Sequence, residues 1–290
     1  MSRMVKRGHI TPLLFILPAG IIYISIVIFP ILYSIFISFF RWNGISQMVF
    51  IGLDNFSNLV IDPTFIRAIF NNIIWVFLSL FATMSIGLAF ALMLNRNFFG
   101  RTFFRGFFYF PAIIAGIATA YIWRWFYNPA FGFINQLFSQ IGINYQQNWL
   151  SNPKSSLYAV FFASLWQSIG LPMILFLAGL QTVPEELLEA ALIDGASNTR
   201  RFISITIPML KETFVIVIAN LIVGAMRVFD VVIGLTGGGP NDATQMMSTY
   251  MYAQTFRYHN VGYGTAIAVL MVVFMMMVIV PYIRFTAARD

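Results

Sequence analysis

The chain has 290 residues, of which 59% are hydrophobic, 17% aromatic and only 9% charged, with a formal charge of +7 and a mean hydropathy of +0.81. A soluble domain carries about a quarter charged residues, so this composition excludes one and indicates an integral membrane protein. The positive charges flank apolar runs, which favours anionic lipid over nucleic acid as their partner, and the lack of cysteine excludes disulfides, thiol catalysis and cysteine-bound metals.

Residues 11–40 contain no charged side chain. At about 1.5 Å per residue this run exceeds the ~30 Å hydrocarbon core, so part of it tilts, kinks or protrudes, with Pro18 and Pro30 as the expected kinks. A signal peptide has an apolar region of only about 7–15 residues, so the run reads as a retained first helix. Further apolar runs predict spans at 68–94, 103–126, 157–180, 206–235 and 261–283. The expected architecture is all-α, with six transmembrane helices in one domain over 1–290. "YNPAFG", "SNPKSS" and "GGGPND" supply turn signals between spans, and no internal repeat is visible.

Lys and Arg set the orientation. Eleven fall on one side of these spans: Arg3, Lys6, Arg7, Arg96, Arg101, Arg105, Arg200, Arg201, Lys211, Arg284 and Arg289. Six fall on the other: Arg41, Arg67, Arg124, Lys154, Arg227 and Arg257. The bias predicts both termini in the cytoplasm, with the 182–205 loop on the same side.

That loop holds four of the chain's ten acids, Glu185, Glu186, Glu189 and Asp194, followed by Arg200 and Arg201. Thr182 and Glu185 have capping-box spacing, and Leu188, Ala191 and Leu192 share a helical face. Gly195 is suited to a left-handed helix end, Ser197 to starting a second short helix, and Pro208 to marking entry into span five. Such a helix pair is longer than an antiparallel connection requires. The small residues Ala190, Ala191, Gly195 and Ala196 admit a closely packed partner. A lipid-bound amphipathic helix is the other reading, but its polar face favours Lys and Arg, whereas this first helix carries only acids.

Other motifs carry less. A phosphate-binding loop requires G-x-x-x-x-G-K-[ST], and no Gly-Lys pair occurs in the chain, so ATP hydrolysis is not expected of it. His9 and His259 lie far apart, without metal-ligand spacing, and no nucleophile–base constellation is visible. Arg227 and Asp230, three apart near one end of span five, suit either a local ion pair or substrate contact. Ser164, Gln167, Ser168 and Leu171 share a face of span four at i, i+3, i+4 and i+7. Interhelical hydrogen bonding is one use for such a stripe; a hydroxyl-rich ligand beside an aromatic such as Trp166 is another.

Glu189-Ala190-Ala191, three residues, Gly195, nine residues and then Ile205-Thr206-Ile207-Pro208 resemble the EAA signature of ABC-importer permeases. The signature's usual ending is Ile-x-Leu-Pro, from which Ile207 departs. "LQTVPEELLEAALIDGA" (180–196), "FRGFFYFP" (104–111), "IWRWFYNPAFGFIN" (122–135) and "LTGGGPNDAT" (235–244) resemble the carbohydrate branch, in the subunit type of the maltose importer's F subunit. The resemblance runs from about Asn55 to the C-terminus, and it matches a six-helix version without that subunit's extra helices and large outer domain.

The resemblance implies a type I importer permease fold with a cytoplasmic coupling helix, in a bacterial or archaeal cytoplasmic membrane. It implies a sugar importer in which this chain pairs with a second homologous permease. Two ATPase subunits that use ATP and Mg would dock on the coupling loop, and an extracytoplasmic solute-binding protein would deliver the sugar. It also matches Ser164, Gln167, Ser168 and Leu171, with Leu221 and Ala225 of span five, to sugar-facing positions, although the side chains differ. No directly bound cofactor is expected. A self-contained secondary transporter or channel is the rival reading, against which stand the missing repeat and the coupling signature. A non-transporting assembly factor is a third.

Overall fold

The computed structural model describes residues 10–142 and 147–287. Of the residues named above, Arg3, Lys6, Arg7, His9 and Arg289 lie outside these.

Among the described residues, three helical stretches are long and apolar enough to cross a membrane: Phe15–Ile37, Pro63–Asn95 and Val261–Arg284. Three bent pairs bring the number to six if each is one span. The first stretch is built from α1 (Ile10–Tyr23), a π-helical turn (Ile24–Ile28) and α2 (Phe29–Ile37). The π turn lies just before Pro30, whose ring cannot share a normal α turn with the carbonyl four residues back. A wider turn removes that clash, so the expected kink is spread over one turn.

Two units of the chain pack separately. Of the described residues, one comprises 10–61 with 251–270, and the other 62–142 and 147–250 with 271–287. In the first, α2 leads into a short antiparallel hairpin of β1 (Phe40–Arg41) and β2 (Val49–Phe50), followed by α3 (Asp54–Ile61). Buried Asn55 secures the turn by donating to the carbonyls of Ser38 (2.8 Å) and Phe40 (3.0 Å).

The second unit begins with α4 (Pro63–Leu78), capped by the Asp62 carboxylate on the amides of Thr64 and Phe65. A π turn (Ser79–Thr83) joins it to α5 (Met84–Asn95). Next come α6 (Arg101–Ile113) and α7 (Gly116–Phe126), bent by 100° about Ile114 and Ala115, which adopt extended backbone. The uninterrupted span expected over 103–126 is therefore two helices. α8 (Phe133–Gln140) is held by Asn135, which accepts from the Trp149 indole at 2.8 Å.

α9 (Ser156–Ser168) and α10 (Gly170–Leu180) meet at 43°. Pro172 has no N–H to offer the carbonyl of Ser168, so the helical ladder is interrupted at the break. α10 packs along α5 through Gly87, where an added Cβ would come within 2.8 Å of Pro172 Cβ.

The loop region forms α11 (Glu185–Ile193) and α12 (Asn198–Arg201), and the latter continues through a π turn (Phe202–Thr206) into α13 (Ile207–Met209). α14 (Lys211–Met226) follows at 69° to that run. Again the π turn precedes a proline, Pro208. The helix expected over 206–235 stops at Met226, and α15 (Asp230–Leu235) turns aside to pack on α7. α16 (Met247–Tyr252) and α17 (Val261–Ala287) complete the chain.

Candidate functional site

A cavity of about 280 Å³ lies between α4, α9, α10 and α14. Ser164, Gln167, Ser168 and Leu171 line it from the α9–α10 break, and Leu221 and Ala225 from α14. The bend at Ile169 leaves all four residues of the span-four stripe on this wall.

Three further polar or aromatic side chains line the cavity: Trp75, Ser79 and Asn220. The aromatic wall is thus Trp75, set edge-on to Phe161 with ring centroids 5.2 Å apart. Trp166, the aromatic expected here, packs against Trp123 within the core. Asn220 was recognisable in sequence as a lone amide in an apolar span. Trp75 and Ser79 carried no such signal, because their placement depends on how α4 packs against α9 and α14. None of the lining side chains is charged, so the site can bind by hydroxyl, amide and ring contacts but offers no counter-ion.

Gln167 is not wholly free for a ligand. Its amide nitrogen donates to the Ile114 carbonyl at 2.5 Å, the residue at which α6 breaks from α7. Its side chain therefore helps to hold the 100° bend as well as lining the cavity.

Arg227 and Asp230 make no ion pair, contrary to one of the two uses open to them. Arg227 ends α14 and Asp230 begins α15, so the intervening non-helical residues destroy the i, i+3 geometry. Both are exposed, and neither lines the cavity.

The loop at 182–205 has a defined shape. Gly195 sits at φ +76°; its amide donates to Leu192 and that of Ala196 to Ala191, which closes α11 in a Schellman motif. Ser197 accepts from the Arg200 amide at 3.3 Å and starts α12. The expected capping box does not form. Thr182 instead donates to the Gly179 carbonyl at 2.8 Å, closing α10, while Pro184 takes the N-cap of α11. Arg201 donates to the Leu188 carbonyl at 3.3 Å and also bonds Asn198, so it clamps α12 back against α11.

Glu185, Glu186, Glu189, Ala190, Asp194 and Gly195 are exposed on this hairpin, while Ala191 and Ala196 are half-buried. No ion pair neutralises the acids among the described residues, and Leu187, Leu192 and Ile193 stand exposed beside them. The surface combines apolar knobs with unpaired negative charge, a pattern of contact surfaces rather than of lipid-facing ones.

Residues 83–287 match the family model described as binding-protein-dependent transport system inner membrane component. The chain belongs to this family. It is 35% identical over 274 residues to a probable ABC transporter permease, YurN, of Bacillus subtilis, covering 93% of this chain and 94% of the relative. It is 34% identical over 286 residues to the trehalose/maltose transport system permease MalF of Thermococcus litoralis, covering 97% and 94%. A bacterial ABC transporter involved in the import of the acidic polysaccharide alginate supplies a chain of the same fold, with TM-score 0.85, 23% identity and 99% of both chains covered. This chain is thus a multi-pass membrane permease subunit of an ABC importer, with the type I importer permease fold, and is a non-catalytic component.

One clamp in this permease fixes a wall of the cavity. Asn72, 1% exposed, donates to the Ala225 carbonyl at 3.0 Å and accepts from the Met247 amide at 2.9 Å. Its neighbour Asn71 donates to the carbonyls of Ala243 (3.1 Å) and Gln245 (2.9 Å). Replacing Asn72 by Val strands two buried backbone groups, each at a cost of about 1–3 kcal/mol. Thermal unfolding of the purified permease complex is expected to shift down clearly for Asn72→Val. Asn220→Val, which breaks no internal bond, should leave the midpoint almost unchanged.

Proposed function

We propose that this permease forms half of the membrane pathway for a sugar, most simply a neutral oligosaccharide, and works as one permease domain. A second homologous permease supplies the other half. Two ATPase subunits dock on the 185–201 hairpin and use ATP and Mg, and an extracytoplasmic solute-binding protein presents the cargo. Both termini face the cytoplasm, as the Lys and Arg distribution favours.

The observation that carries this reading is the cavity: an uncharged, hydroxyl- and amide-bearing wall with Trp75 alongside. Sugars are bound by hydrogen bonds to their hydroxyls and by ring contact with their C–H faces. A carboxylate cargo would need a cation from the partner permease, since an unpaired charge in a low-dielectric site is costly. Relatives named for trehalose and maltose, for multiple sugars and for starch degradation products favour the same class of cargo. The alginate transporter's complex with a pentasaccharide-bound periplasmic protein supports delivery by a binding protein.

The test is reconstitution in proteoliposomes with the partner permease, ATPase and binding protein. Uptake should require ATP inside and persist when ion gradients are collapsed. This chain purified alone should hydrolyse no ATP. Uptake driven by an ion gradient without the ATPase would overturn the assignment.

A further inference from the structure

A second cavity, of about 500 Å³, lies where α5 ends and α6 begins. Its apolar lining is Phe90, Leu92, Met93, Leu94, Phe104 and Phe108, with the Phe90 and Phe108 rings 4.3 Å apart. Arg96 and Phe98 stand among its lining residues. Phe98 also lines an adjoining depression, together with Asn97, Gly100, Arg101 and Thr102. An apolar well therefore meets a polar, cationic hollow at one shared residue.

The charge here has one sign. Neither cavity has an acidic lining residue, and the chain contains no acid from 63 to 184. Arg96 is exposed and makes no hydrogen bond among the described residues. Arg101 bonds only the neutral Asn97, at 2.8 Å, and Arg105 is held at the same end by the Leu94 carbonyl at 3.2 Å. Around this pair of cavities the surface is greasy: Phe99, Phe103 and Phe107 are all exposed.

We propose that this is a binding site for an anionic phospholipid. One acyl chain enters the well between Phe90, Phe104 and Phe108, and the phosphate lies over Phe98 between Arg96 and Arg101. The volume falls in the range of small-ligand sites, about 300–1,000 Å³. Basic residues at the mouths of pockets between membrane helices recognise anionic headgroups, and the bilayer supplies the apolar and charged parts in one molecule. A soluble anion would leave the aromatic well empty, and an apolar protein segment would leave the arginines unpaired. The leaflet follows from the orientation proposed above, while the chemistry of the site does not depend on it.

The experiment uses the assembled transporter in nanodiscs of phosphatidylcholine with increasing phosphatidylglycerol. Retained lipid is read by native mass spectrometry and stability by thermal unfolding. The wild type should retain phosphatidylglycerol and gain stability as its fraction rises. Arg96→Gln with Arg101→Gln should weaken that retention about tenfold or more, and the paired Lys substitutions should largely restore it. Leu92→Trp, which fills the well and leaves both arginines, should lower retention as well. Equal retention by the wild type and the double Gln variant would overturn the site, as would full stabilisation by inorganic phosphate alone. A photo-crosslinker at Phe98 that captures a neighbouring subunit instead of lipid would also overturn it. No arm reads sugar uptake, so failure here is distinct from failure of the cargo reading.

Discussion

Glu189→Lys in α11 is expected to abolish ATP-driven uptake while leaving membrane insertion and the amount of permease unchanged. Glu189 is exposed and has no ion-pair partner among the described residues, so its substitution costs the isolated fold little. In the proposed ATPase contact the same change places a cation where a carboxylate was desolvated against its partner. Breaking such a pair costs about 3–5 kcal/mol, which is roughly two to three and a half decades in an equilibrium constant. Gly195→Val should act by a different route. An added Cβ meets no atom within 4 Å, so space is no obstacle, but a β-branched residue at φ +76° is strained. The expected result is a hairpin that no longer holds α11 and α12 at their present angle, with ATP hydrolysis uncoupled from uptake. Co-purification of the ATPase, its hydrolysis rate and sugar uptake, measured together, separate the two. Wild-type uptake in both variants would remove the hairpin from the coupling mechanism.

Ala225→Trp is the second substitution with a large expected effect. Ala225 is 3% exposed and lines the cavity, so an indole there would occupy much of the 280 Å³ available. Uptake should fall below detection, while ATPase docking and capture of the loaded binding protein persist. Gln167→Ala provides a graded companion. It removes an amide from the cavity wall and also the bond to the Ile114 carbonyl, so it should lower both uptake and thermal stability. Ser164→Ala removes a hydroxyl that makes no internal hydrogen bond among the described residues, and should lower uptake without the loss of stability. Its expected cost is about 1 kcal/mol, or roughly fivefold, for one lost hydroxyl contact. Transport at the wild-type rate by Ala225→Trp would place the pathway elsewhere.

The membrane class and the helical runs were legible in the sequence because they depend on local composition. The left-handed end at Gly195 and the Ser197 cap were legible for a similar reason: each is fixed by the residue itself and its nearest neighbours. What could not be read is what tertiary packing decides. Hydropathy runs unbroken through the third span, but the helix bends by 100° at Ile114 and Ala115, a bend held by Gln167 from another helix. Hydropathy carries span five on to Leu235, yet the chain turns at Arg227 because α15 finds its place against α7. Thr182 had the spacing of a capping box, and its hydroxyl satisfied the preceding helix instead. Trp75 and Trp166 are indistinguishable by residue type. Both join the same core cluster, and only the packing of α4 also brings Trp75 to the cavity.

The position of Asn72 bears on how cargo range can change over generations. A substitution in the 236–247 segment touches nothing in the cavity, yet the segment's Met247 amide and the cavity's Ala225 carbonyl share one buried side chain. If the cavity carries the cargo, as proposed above, a substitution in that segment would reach the pathway at second hand, by moving the Ala225 wall while every lining residue stays the same.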